Sequence, residues 1–160
     1  MEIYILRHGV AETARPGTPD ERRALLPEGK QKVRDVVRRA HSAGLSPDRI
    51  LTSPYRRALE TAEVAAEALG HRQELVRVNT LAPMGSPEQV WDEIRQHKDC
   101  ARILLVGHEP LLSQVIAYLL SAPALQVDFK KGALARVDVG GFGTRPRGVL
   151  HWLLTAKLAG

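Results

Sequence analysis

Residues 2–9 read EIYILRHG, a short apolar run with β-branched and aromatic members that ends in an arginine, a histidine and a glycine. A run of this length stopped by a turn residue reads as a buried strand. Arg7 and His8 are therefore delivered to its C-terminal edge. Comparable runs stand at 49–52 (RILT), 75–78 (LVRV) and 102–106 (RILLV). Between them, apolar residues recur at helical spacing: Val33, Val36, Val37 and Ala40; Ala58, Ala62, Ala65 and Leu69; Val90 and Ile94; Leu112, Val115, Ile116 and Leu119. Strands alternating with helices predict the α/β class. The tail differs, because ALARVDV at 133–139 alternates apolar and polar, GGFGTRPRG supplies turn residues, and VLHWLLT at 149–155 forms a second run. That is a hairpin on the sheet edge. The expected architecture is a three-layer α/β/α sandwich with a mostly parallel central sheet and an antiparallel edge strand, in which residues 1–160 form a single domain.

Composition narrows the class. Hydrophobic residues make up 44% of the 160 and charged residues 26%, which favours neither disorder nor a fibre. Cys100 is the only cysteine, so no internal disulfide and no cysteine-based zinc cluster is expected. A single thiol and a beginning unlike a secretory signal point to the cytoplasm. No apolar run approaches the roughly 18 residues of a membrane span. The formal charge of +5 attracts anions without specifying which. Its lysines and arginines are scattered and not interleaved with aromatics, so no nucleic-acid partner is expected.

Residues 10–26, VAETARPGTPDERRALL, make a connection longer than most in compact domains and directly follow the first strand. In open α/β sheets ligands bind outside the carboxyl ends of the strands. This loop should border whatever Arg7 and His8 contact. Pro27 suits a first helical turn, whereas Leu26 offers no side-chain acceptor as a cap.

Two further segments repeat the construction. SPYRRALETA at 53–62 follows a strand and enters a helix whose N-terminus offers free amides to an anion, with Arg57 in its first turn. LLVGHEP at 104–110 ends a strand in Gly107 and His108 before another helix start. Arg7 with His8, Arg57 and His108 would thus converge along one sheet edge as positive or donating groups, with Gly9 where the backbone must approach a ligand closely.

RHG near the N-terminus, S-x-x-x-R-A-x-x-T-A at 53–62 and a strand ending in Gly-His resemble, in order and spacing, the signature of the histidine phosphatase superfamily. The resemblance covers residues 3 to about 120. Within it, the shortness of the chain, the Arg-x-Leu-x-x-x-Gly pattern from Arg23 to Gly29 and the Phe129 segment resemble the SixA-type protein-phosphohistidine phosphatases. That resemblance implies a phosphoglycerate mutase-like fold, no cofactor or metal, and His8 as the nucleophile that takes the phosphoryl group. Arg7, Arg57 and His108, with Gly9, would hold the transferring oxygens. Its partner would be a phosphohistidine-bearing protein or a small phosphorylated substrate.

The chain departs from the pattern at one point. Many members that cleave phosphate esters carry a carboxylic acid in a Leu-x-Glu pattern after the third strand, to protonate the leaving oxygen. Here that stretch is Leu81-Ala82-Pro83-Met84-Gly85, without a carboxylate. Glu88, Asp92 and Glu93 follow on a helix and read as solvated positions. The missing acid favours a phosphoramidate, whose protonated imidazole leaves readily. Neutral His8 and protonated His108 would together produce a bell-shaped pH profile. A small-molecule phosphomonoesterase and a non-catalytic phospho-ligand-binding module remain the competing readings. Thr61 is expected to pack or cap, and His41, His71, His97 and His151 have no assigned role.

Overall fold

The computed structural model describes residues 1–160. Strands β1 (Glu2–Arg7), β2 (Arg49–Thr52), β3 (Val76–Arg77), β4 (Arg102–Gly107), β5 (Leu134–Val139) and β6 (Gly148–Leu154) form one sheet in the order β3-β2-β4-β1-β5-β6. β1, β2, β3 and β4 run parallel, whereas β5 lies antiparallel to β1 and β6 antiparallel to β5. The expected edge hairpin is therefore present.

Alternation along the central strands sends side chains to two cores. Ile3 and Ile5 of β1, with Ile103 and Leu105 of β4, pack under α3 (Pro87–Gln96) and α4 (Leu111–Leu119). Tyr4 and Leu6, with Leu104 and Val106, pack under α1 (Pro27–Ser42) and α2 (Arg56–Leu69), joined by Ala156 and Ala159 of the short α5 (Ala156–Ala159). Both faces are covered, which is why β1 and β4 read as continuous apolar runs. On α1 the buried stripe is Val33, Val36, Val37 and Ala40, as its period requires. Each fully buried valine contributes about 1.5–3 kcal/mol relative to exposure. The helix needs that contribution, because Leu26 makes no side-chain cap and only Pro27 preorganises the first turn. No helix is long and apolar enough to cross a membrane.

Register positions the edge that carries Arg7 and His8. Arg7 pairs with Gly107, and Thr52 with Val106. The ladder continues one step beyond the strands: the His8 amide donates to the Gly107 carbonyl at 3.0 Å, and the Ser53 amide to the Val106 carbonyl at 3.0 Å. On the other flank, the Gly132 amide donates to the His8 carbonyl at 3.1 Å. The residues just past β1 and β2 are thus fixed by sheet hydrogen bonds. At Gly9 a β-carbon would stand 2.9 Å from Val33 Cγ2 and 3.0 Å from the Gly29 carbonyl oxygen. At Gly29 it would meet the Val10 carbonyl oxygen at 2.3 Å. These two glycines let the chain leaving β1 lie directly on the first turn of α1.

Candidate active site

His8, Arg57 and His108 are each at most 6% exposed, although a charged or ionisable side chain is seldom buried without a reason. The His8 and His108 rings lie 5.2 Å apart, centroid to centroid. The structure thus brings His8, Arg57 and His108 to the carboxyl ends of β1, β2 and β4, as the sequence predicts, with Arg7 closing β1. Their neighbours account for the orientation of each.

His8 Nδ1 lies 2.7 Å from the Gly9 carbonyl oxygen. A carbonyl only accepts, so Nδ1 carries the proton and Nε2 of the neutral ring keeps its lone pair. Burial pushes the imidazole down to about 4; the Gly9 bond opposes that fall, while Arg57, Arg7 and Lys131 add to it. His8 is therefore a neutral base with a free Nε2 at neutral pH. Gly9 is held in turn by Thr61, whose hydroxyl accepts from the Gly9 amide at 3.1 Å and donates to the Arg57 carbonyl at 2.7 Å. A residue expected to pack or cap thus ties two site segments together.

His108 differs from expectation. Its Nε2 lies 2.8 Å from Ser53 Oγ, which also accepts from the Tyr55 amide at 3.2 Å. Burial, then the neighbouring His8 and Arg57, hold its ring down to about 3, so His108 is neutral in the unliganded site and not the cation that the sequence reading expects. The correction comes from burial beside like charges, which leaves no local trace in sequence. A neutral ring still donates. With the Ser53 hydroxyl donating to Nε2, the ring proton sits on Nδ1, and no hydroxyl hydrogen is left unused. The His108 and Tyr55 rings also meet in a T-shaped arrangement, centroids 5.3 Å apart.

Arg7 donates from Nη1 to the Phe129 carbonyl at 2.9 Å, which gives the Phe129 segment a concrete task. Arg57 donates from Nη1 to the Asp20 carbonyl at 3.0 Å and from Nη2 to Asp20 Oδ2 at 3.1 Å. Its neighbour Arg56 is exposed and lies 3.6 Å from Glu60. The phase of α2 separates the two arginines: Arg57 shares the buried stripe of Ala58, Thr61, Ala62 and Ala65.

Buried side-chain polar atoms without a partner are few, and three of the five belong to this cluster: Arg7 Nε, Arg57 Nε and His108 Nδ1. Native interiors seldom leave such donors unpaired. Unpaired donors of two guanidinium groups and an imidazole, gathered around a neutral imidazole nitrogen, suit an oxyanion as the ligand. No cluster of three histidine, cysteine, aspartate or glutamate side chains suited to a metal ion is present. Glu93 bonds His97 at 3.0 Å and Asp92 approaches Arg95 at 3.4 Å, both along α3. The 81–85 stretch carries no carboxylate; Leu81 is buried and Met84 is 92% exposed.

Cationic and donating groups beside a neutral histidine at the edge of a parallel sheet suit an α/β protein that binds an oxyanion such as phosphate. The histidine phosphatase superfamily (branch 1) model matches residues 3–83. An uncharacterized protein of Picosynechococcus is 37% identical over 117 residues, 71% of this chain and 70% of that one. A phosphohistidine phosphatase SixA homolog of Haemophilus influenzae is 32% identical over 128 residues, 74% of this chain and 77% of its own. The structure of the protein histidine phosphatase SixA complexed with tungstate superposes with a TM-score of 0.87 at 24% identity, covering 98% of each chain. This chain belongs to the histidine phosphatase superfamily and is of the SixA type.

Proposed function

We propose that the protein is a metal-independent phosphatase that removes the phosphoryl group from phosphohistidine on a protein, through a phospho-His8 intermediate. The observation that carries the reading is the bond from His8 Nδ1 to the Gly9 carbonyl, which leaves Nε2 unprotonated among the unpaired donors of Arg7, Arg57 and His108. Nε2 attacks phosphorus in line, a nitrogen–phosphorus bond forms to His8, and the bond to the substrate imidazole breaks. That imidazole enters protonated on its other nitrogen, so it takes the bonding electron pair and departs neutral. Water then adds to phosphorus, the phospho-His8 bond breaks, and its protons end on the released phosphate or in solvent. Arg7, Arg57 and the His108 N–H hold the equatorial oxygens as charge spreads over them.

Two features favour nitrogen as the leaving atom. No carboxylic acid occupies Leu81–Gly85, and an alkoxide would need one. Two of the proteins this chain resembles, the Haemophilus influenzae homolog and the structure that superposes at a TM-score of 0.87, carry phosphohistidine phosphatase names. The test is turnover, in EDTA, of a phosphohistidine-bearing protein, p-nitrophenyl phosphate and 3-phosphoglycerate, with His8→Ala as control. Preference for phosphohistidine, abolished in His8→Ala, is the expected result. Best turnover of 3-phosphoglycerate overturns the substrate reading, loss of activity in EDTA overturns metal independence, and phosphate binding without turnover overturns the enzyme reading.

A further inference from the structure

The long loop after β1 enters the site through one carboxylate. Its base is tied down: Ala11 bridges Leu25, the Leu26 amide donates to the Val10 carbonyl, and the Leu25 amide to Glu60 Oε1 at 2.8 Å. From this base the turn Asp20–Arg22 reaches back to α2. There Arg57 clasps Asp20 through both its carbonyl and its Oδ2, while Arg23 Nε donates to Oδ1 at 2.8 Å. Arg23 is anchored by its Nη1 on the Glu12 carbonyl at 2.9 Å. Each carboxylate oxygen of Asp20 thus has a guanidinium partner. Yet 52% of the Asp20 side chain faces solvent, whereas its partner Arg57 is 6% exposed. The carboxylate stands at the rim, on the guanidinium that the proposed function gives to the phosphoryl group.

We propose that Asp20 is a specificity-determining residue, a fixed rim carboxylate that disfavours substrates whose non-phosphoryl part is anionic and favours a cationic leaving group such as protonated imidazole. The inference rests on the proposed function. Sharing one guanidinium would place the carboxylate charge beside the phosphoryl oxygens, and its exposure at the rim would turn it toward the rest of the substrate, where like charges repel and a cation is attracted. Its field reaches across the site as far as His108. Asp20 is no substitute for the missing acid: burial alone would raise its proton affinity, but Arg57 and Arg23 hold it below the ordinary carboxylate value. It stays ionised, which suits selection and not proton donation.

The test compares wild type with Asp20→Asn and Asp20→Glu. It measures kcat/KM for a phosphohistidine-bearing protein and for 3-phosphoglycerate, alongside thermal melting. Asp20→Asn keeps an acceptor for the guanidinium groups and removes the charge. The expected result is a selectivity ratio, phosphohistidine over 3-phosphoglycerate, that falls on the order of tenfold in Asp20→Asn and recovers in Asp20→Glu. A ratio unchanged within about twofold overturns the inference, as does a matching fall in Asp20→Glu, because loss of loop structure alone would lower both substrates together. Where turnover is too slow to measure, calorimetry reads the same repulsion in a second ratio, the affinity for 3-phosphoglycerate relative to inorganic phosphate, which Asp20→Asn should raise; no rise overturns it. The proposed function fails separately, if wild type itself prefers 3-phosphoglycerate, since the Asp20 inference is read only from the change in ratio.

Discussion

Replacing Thr61 by valine tests whether His8, the proposed nucleophile, is held from α2. Valine matches threonine in shape but lacks the hydroxyl that receives the Gly9 amide and donates to the Arg57 carbonyl. Thr61 is fully buried and Gly9 is buried, so water cannot replace the lost partner. Stranding a buried amide costs about 1–3 kcal/mol. For a chain of this size each kcal/mol lowers the melting temperature by about 2–4 °C, so a drop of roughly 2–12 °C is expected. Activity should fall further than stability accounts for, because Gly9 also carries the carbonyl that orients His8. A fall in kcat/KM on the order of tenfold is expected at a temperature where the variant is fully folded. Thermal melting and initial rates on one phosphorylated substrate read both effects, with Thr61→Ser, which keeps the hydroxyl, as the comparison. If Thr61→Val melts within about 1 °C of wild type and turns over within about twofold, the chain from Thr61 through Gly9 to His8 is not what places the nucleophile.

The depressed imidazoles make two statements about pH. Because kcat/KM reports the free enzyme, its acid limb should lie near pH 4, where His8 protonates, with no limb near 6.5 once the substrate's own titration is divided out; a limb at 6.5 would refute the burial argument. On stability, the unfolded chain binds a proton at His8 near the ordinary value of 6.5 while the folded chain binds it only near 4, so stability falls as pH drops through that window. The loss reaches roughly 3 kcal/mol, and His8→Ala should lose less than wild type between pH 7 and pH 4.5 in denaturant melts. Gly29→Ala should destabilise by about 1–3 kcal/mol, since its new methyl meets the Val10 backbone, which no side-chain rotation can relieve; an unchanged denaturant midpoint would show that the loop is free to yield.

The strands and helices were legible because each carries its own period. β1 and β4 are buried on both faces and read as unbroken apolar runs, and α2 shows its stripe in Ala58, Ala62 and Ala65. That stripe also distinguishes buried Arg57 from exposed Arg56. Arg7, His8 and His108 were legible because strand ends mark themselves by glycine and a change of period. What holds them was not. Ser53 meets His108 across 55 residues, and Asp20 meets Arg57 across 37, and such pairings leave no periodic mark. Thr61 could have been found, one turn from Arg57 on the buried side of α2. The neutrality of His108 could not, because it depends on how completely the fold excludes water from two adjacent rings.

The ladder that extends past β1 and β2 separates two kinds of change open to this molecule. His8, Ser53 and the Gly107 turn are stitched into the sheet itself, so altering their placement means altering the scaffold. Residues 13–22 are exposed and meet that scaffold mainly through Asp20. Exchanging this segment between relatives therefore changes the rim around Arg57 while His8 and its support stay in place, so a change in substrate preference after the exchange would be read from the rim alone.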